Sequence, residues 1–296
     1  MRIPPYSWPV GKACAVAVQV LFDDGLDAVF KAPDLVNRSK SFSVWEYGAK
    51  RGVERLADTL QEMQVPATWF VPGVVAEKHE SLLRNVAGRG HELAARGWAF
   101  ERYDSLPAQQ ALERLKRSVA ALADLTGTEP RGFRLPAGNW PAGFDGLLLR
   151  AGFEWSATLS GDDRPYFHRS GLVEIPVHLE LEDRPYFQFN FNPPFPKGLS
   201  RLPSYDSVLR NWKAEFDAYR KYGLCFVLQI RPEMIGTPGR IFILRELLAY
   251  VRSFDDVWIA RSSEIADWHR SHAQAVEDGH PIEVYRSYRR ENGLHD

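Results

Sequence analysis

Six short apolar runs, separated by stretches with helical periodicity, leave this chain few architectures. Residues 13–21, 67–71, 131–135, 172–176, 224–230 and 257–260 read as strands of four to nine residues. Between them, Leu112, Leu115, Val119 and Leu122 share one helical face, with Ser105 and Pro107 as start signals and Gly127 as a stop. Leu209, Trp212, Phe216 and Tyr219 form a second stripe, and Leu244, Leu247, Leu248 and Val251 a third. Core packing accounts for all three. Strand–helix alternation implies a mostly parallel sheet with helices outside it, either doubly wound or closed into a barrel. In both, functional side chains gather just past the C-terminal ends of the strands.

A length of 296 residues suits one barrel-sized domain, here expected over residues 1–296 with a core at about 8–268 and a polar extension at 269–296. The formal charge of −1, with both signs interspersed, lacks the basic stripe that a phosphate backbone requires, so no nucleic-acid partner is expected. The longest apolar stretches, 13–22 and 224–230, are too short to span a bilayer. The first residues lack a charged start followed by an apolar run, which points to a cytoplasmic protein with no membrane partner. Cys14 and Cys225 lie inside strand-like runs and read as small buried hydrophobes, with no disulfide expected. Residues 22–45 and 188–203 fit neither pattern. The second, rich in Pro and Phe, suggests an ordered lid or a subunit contact. Asp-Arg-Pro-Tyr-Phe occurs at 163–167 and again at 183–187, and a single recurrence makes no repeat architecture.

Several polar clusters stand at the ends of apolar runs. Asp23 and Asp24, followed by Gly25, suit general-base work or metal binding, although taken alone the pair reads first as a capped turn. Glu46, in Trp45-Glu46-Tyr47-Gly48, is a third carboxylate, or a first-turn glutamate favoured by the helix dipole. Further along come Gly90-His91-Glu92 with Arg96, Trp98 and Phe100, then Arg134-Leu135-Pro136-Ala137-Gly138-Asn139. The run Glu180-Leu181-Glu182-Asp183 and the segment Gln229-Ile230-Arg231-Pro232-Glu233 complete the set.

Taken in order, Phe-Asp-Asp-Gly, Pro66-Ala67-Thr68-Trp69-Phe70-Val71-Pro72-Gly73, Gly-His-Glu and Arg-x-Pro-x-Gly resemble the successive motifs of the polysaccharide deacetylase (NodB-homology) superfamily. Residues 231–240 and 257–266 resemble the branch that holds metal-independent allantoinases and cyclic imide hydrolases. The resemblance implies an α/β fold, a distorted (β/α) barrel of about seven strands, and a homodimer or homotetramer. One departure from the family is informative. Zinc-dependent members place two histidines four residues apart after the Gly-His-Glu strand, where this chain has Arg96 and Phe100. A guanidinium cannot lose its proton to bind a metal, and a phenyl ring offers no lone pair. No metal and no cofactor are therefore expected.

Without a metal to polarise the carbonyl, an N-acetyl sugar is a poor substrate, because its amine is a basic leaving group. A cyclic imide is better, since two carbonyls stabilise the departing nitrogen. The expected activity is opening of a small cyclic imide, or of an allantoin-like cyclic ureide. Asp23 or Asp24 would activate water, with Glu46 as a further carboxylate and Arg96 or Gln229 stabilising the oxyanion. Arg96 has a competing role as a salt-bridge partner of Asp24. Trp98, Trp45, Tyr47 and the Phe-rich loop at 188–203 would form a flat apolar slot for the ring, with Arg134 and Asn139 at its far edge and His91 as a further substrate-binding residue. The aromatic content favours imides over the more polar ureide. A non-catalytic carbohydrate-binding relative, stacking sugars on Trp98 and Trp140, is the reading from another class. A third is a deacetylase of small acylated compounds with some other metal arrangement around Asp23, Asp24 and His91.

Overall fold

The computed structural model describes residues 6–188, 203–272 and 287–293. Its first strand, β1 (Cys14–Leu21), is buried along its whole length, as a strand covered on both faces must be. After it come β2 (Ala67–Val71), β3 (Glu92–Ala95), β4 (Gly132–Phe133), β5 (Trp155–Ser156), β6 (Tyr166–Phe167), β7 (Val173–Glu174), β8 (Cys225–Ile230) and β9 (Val257–Ile259). The order of neighbours is β6-β7-β5-β4-β3-β2-β1-β8. All pairs are parallel except β6 with β7. One edge of β1 is shared, with β9 alongside Cys14–Val16 and β2 alongside Val18–Leu21.

The sheet curls into a half barrel. The chain leaving β7 runs beside β5, where Val177 N donates to Leu159 O at 3.0 Å. It then reaches the far side of β8, where Glu182 pairs with Gln229 and Asp183 N donates to Gln229 O at 2.9 Å. Alternation along the strands divides the core in two. Val16, Val18, Val20, Trp69, Phe133 and Phe226 face the helical layer. Ala15, Ala17, Phe70, Ala94, Trp155 and Val227 fill the interior. Small residues on β1 and β3 make room there for the Trp155 indole. Gly132 completes that fit, since a Cβ at this position would lie 1.9 Å from the Trp155 ring.

The helical stripes form as the periodicity requires, at Ala108–Thr126, Tyr205–Tyr222 and Ile241–Arg252, with Gly127 ending the first at φ 72°. Strand bounds differ more. The runs at 131–135 and 172–176 contribute only two-residue strands, and β5 and β6 were not foreseen. Residues 22–45 are no loop: they fold as a helix at Leu26–Lys31, a 3-10 turn at Pro33–Asn37 and a helix at Ser39–Tyr47. The repeated pentapeptide forms strand at Tyr166–Phe167 and helix at Arg184–Phe187, so context sets its conformation. Most of the Pro- and Phe-rich segment, 189–202, lies outside the described residues. Among those described, no helix is long and apolar enough to cross a membrane, and Cys14 and Cys225 are buried thiols.

Candidate active site

Interior-facing positions extend past the strand ends as charged residues. After β1, Asp23 follows the inward series Ala17, Gln19, Leu21. After β3 comes Arg96, after β4 Arg134, and after β8 Arg231. The segment beside β8 adds Glu182 and Asp183. These side chains pair across the opening. Arg96 Nε donates to Asp23 Oδ1 at 2.5 Å, with both side chains 4% exposed. Arg231 bonds to Glu182 and donates from Nη1 to Asp183 Oδ1 at 3.1 Å. Its backbone N–H donates to Asp183 Oδ2 at 2.6 Å, which makes Asp183 a clamp on the end of β8. Arg184 pairs with Asp27.

Arg96 and Phe100 occupy one place. The guanidinium lies 5.2 Å above the Phe100 ring, a cation–π arrangement. Phe100 holds a φ of 65°, unfavourable for a bulky residue and sustained by packing on Arg96 and on Phe30. The expected salt bridge therefore goes to Asp23, not Asp24. Asp24, at φ 49°, turns outward to accept from Lys78 at 2.6 Å and to meet His79 Nε2 at 2.8 Å. Burial works against its charge, but the His79 and Lys78 hydrogen bonds outweigh it and hold the carboxyl below its ordinary range.

Several buried polar atoms around the opening have no partner among the described residues: Asp23 Oδ2, Gln229 Oε1, Arg134 Nε, Arg184 Nε and Arg231 Nε. Buried polar groups are normally satisfied, so acceptors and donors left over at strand ends mark a place for a polar ligand or for water. Glu233 completes the cluster. Burial pushes its carboxyl up to about 7 against the pull of Arg231. A carboxyl that holds its proton more tightly folded than unfolded costs stability as pH rises from about 4 through about 7. Glu233→Gln is therefore expected to be more stable than wild type at pH 8 by roughly 2 kcal/mol, the two converging near pH 4 in urea titrations.

The remaining expected site residues lie elsewhere. Glu46 is exposed and 3.8 Å from Lys50 on its own helix. Trp45 is buried against Phe42, Ala28 and Leu35. The Tyr47 hydroxyl accepts from Arg55, which also donates to Gly236 O. His91 stands before β3, at the opposite end of the barrel, accepting from Ala67 N at 3.3 Å. Burial lowers its pKa to about 4, so it is neutral. Trp98 packs on Gly73, with Arg117 3.6 Å from its ring. Asn139 is exposed, and its backbone N–H donates to Asp104. Trp140 stacks on His168 at 5.2 Å. Among the described residues these aromatics do not come together as a slot, and the opening is lined by charge. Arg231, Glu233, Glu182 and Asp183 were visible in sequence only as polar runs; their convergence needed the curl of the sheet.

Known proteins share this framework. The polysaccharide deacetylase family pattern matches residues 12–155. A structure assigned to polysaccharide deacetylases, from Mycobacterium smegmatis, is 35% identical at a TM-score of 0.85, covering 93% of this chain and 96% of its own. The PuuE allantoinase structure is 23% identical at a TM-score of 0.77, covering 92% and 96%, a likeness of fold. The peptidoglycan deacetylase of Helicobacter pylori is 26% identical over 250 residues, 75% of this chain and 84% of that protein.

Proposed function

Because the chain belongs to the polysaccharide deacetylase family, we propose that it is a hydrolase that opens the ring of a small cyclic imide or ureide with water activated on Asp23. The observation that carries this reading is the state of the Asp23 carboxylate. Arg96 holds one oxygen, and the other is buried and without a donor.

Zinc does not fit this donor set. The two positions where zinc-dependent relatives carry histidine hold a guanidinium bonded to Asp23 and the ring beneath it. Among the described residues no three His, Cys, Asp or Glu side chains form a group that could hold a metal ion. The chemistry is therefore derived from the side chains themselves. Water hydrogen-bonded to Asp23 Oδ2 gives up its proton as its oxygen attacks a ring carbonyl carbon. Charge growing on the carbonyl oxygen is met by the guanidiniums of Arg96 and Arg231. The C–N bond then breaks, and the ring nitrogen takes a proton back from Asp23 or from the neighbouring Glu233 carboxyl. The product is a ring-opened acid amide. Two carbonyls on the departing nitrogen, or a ureido carbonyl in a ureide, make this feasible without a metal. Relatives named as deacetylases and as an allantoinase likewise cleave amide-type C–N bonds.

The polar lining favours the ureide ring. A preference for simple imides would rest on Trp45, Tyr47 and Trp98, which are engaged by the Phe42 cluster, Arg55 and Arg117. Unpartnered acceptors at Asp23 and Gln229 and donors at three arginines match a ring that presents both N–H and C=O groups. The test is turnover of succinimide, maleimide, hydantoin and allantoin by protein exhaustively treated with chelator. Opening of at least one ring at undiminished rate supports the reading, whereas activity lost to chelation and restored by zinc overturns it. Within the same assay Asp24→Asn is expected to change turnover by less than about threefold, since that carboxylate is committed to Lys78 and His79.

A further inference from the structure

Two guanidiniums stand side by side on neighbouring strands at this opening. Ala95 is in register with Phe133 in the β3–β4 pair, and Arg134 N donates to Ala95 O at 2.9 Å. The next residue on each strand is an arginine, Arg96 and Arg134, on the interior face. Like charges placed opposite one another in a sheet repel, and only one of the two has a carboxylate of its own. Arg96 has Asp23, whereas Arg134 forms no ion pair among the described residues. Its Nη1 is fixed by Ala157 O at 2.7 Å, and its Nε is buried and unpartnered. The carboxylates that act on it most, Glu182 and Asp23, are already hydrogen-bonded to Arg231 and Arg96. The Nε–Nη2 edge, the face of a guanidinium that grips a carboxylate with two parallel bonds, is thus left open.

We infer that the ring opened here carries a carboxylate, received on the Nε–Nη2 edge of Arg134. The inference rests on the ring-opening reading and names its substrate class: a cyclic imide or ureide bearing an acidic side arm. An anion at this place offsets a crowded positive charge that a neutral ring would leave uncompensated. Burial and the charges of Arg96 and Arg231 lower the Arg134 pKa to about 9, which still leaves it a cation at neutral pH. Arg134 is half-buried as a residue, with its Nε covered, so an incoming acid meets Nη2 first.

The experiment compares hydantoin with hydantoin-5-acetate on the full chain, by steady-state kinetics and by calorimetric titration. The carboxylated ring is expected to show at least a tenfold higher kcat/KM at low salt, expressed mainly in KM. In Arg134→Gln that ratio is expected to fall by tenfold or more, with Arg134→Lys recovering part of it. Equal turnover of the two rings by wild type, or a ratio unmoved in Arg134→Gln, overturns the inference and leaves ring opening standing. If neither ring is opened, the functional reading falls. Titration of hydantoin-5-acetate then still decides the anion site: binding weakened tenfold by Arg134→Gln supports it, and binding no tighter than that of hydantoin overturns it. Should Arg134→Gln fail to fold, competition by acetate and succinate against hydantoin in wild type takes its place, and absence of competition counts against the site.

Discussion

Asp23→Asn is expected to lower ring-opening turnover by roughly 10²- to 10⁴-fold, the usual worth of a positioned general base. The substitution is nearly isosteric. The amide oxygen can still accept from Arg96 Nε, so the partner of that buried guanidinium is kept. What changes is the second atom of the group. In the wild type, Oδ2 is a buried acceptor with no donor; in the variant an amide NH2 takes its place and cannot accept a proton. The loss should appear in kcat, with KM little altered. A variant within tenfold of wild type would remove Asp23 from the mechanism. The contrast with Asp24→Asn sharpens the test. The two carboxylates are adjacent in sequence, yet the positive φ at Asp24 sends its side chain to Lys78 and His79, outside the opening.

That contrast shows where sequence reasoning succeeds and where it stops. Periodicity places the helices well, because the apolar stripe of a helix is local information. The barrel follows from strand–helix alternation together with ordered motifs. The strand ends also mark the Asp23-Asp24 pair, Arg96 and Arg134 as candidate site residues, because functional side chains gather just past the C-terminal ends of the strands in such folds. Which of two neighbouring aspartates turns inward depends on a single φ angle, and nothing in Phe-Asp-Asp-Gly declares it. Trp98 and Trp45 were drawn into the site by their residue type. Gly73 and Arg117 claim the first and the Phe42 cluster the second, contacts dozens of residues away or set by a helix unseen in the sequence. Glu233 was passed over for a related reason. Its raised pKa is a product of burial, and its burial comes from the glycines of the segment 48–52, which let that turn lie against 232–236.

The buried ion pair of Arg96 with Asp23 predicts a large and specific energetic coupling. Arg96→Met should destabilise the protein by about 3–5 kcal/mol, the cost of stranding a buried charge, because Asp23 is then left 4% exposed without its partner. Asp23→Asn in the Arg96→Met background removes the stranded charge and should restore most of the loss, even though it adds a second substitution. A cycle of urea unfolding experiments on the four proteins isolates the pair, and its coupling should exceed about 2 kcal/mol, well above what separated sites show. The deficit should also depend on pH. An unpaired buried carboxyl takes a raised pKa, so Arg96→Met should lose more stability at pH 8 than at pH 5, where the carboxyl can fold protonated. If Arg96→Met unfolds within about 1 kcal/mol of wild type, or the double variant is no more stable than the single, Asp23 does not depend on Arg96. The account of ring opening with Asp23 held in place by Arg96 would then lose its foundation.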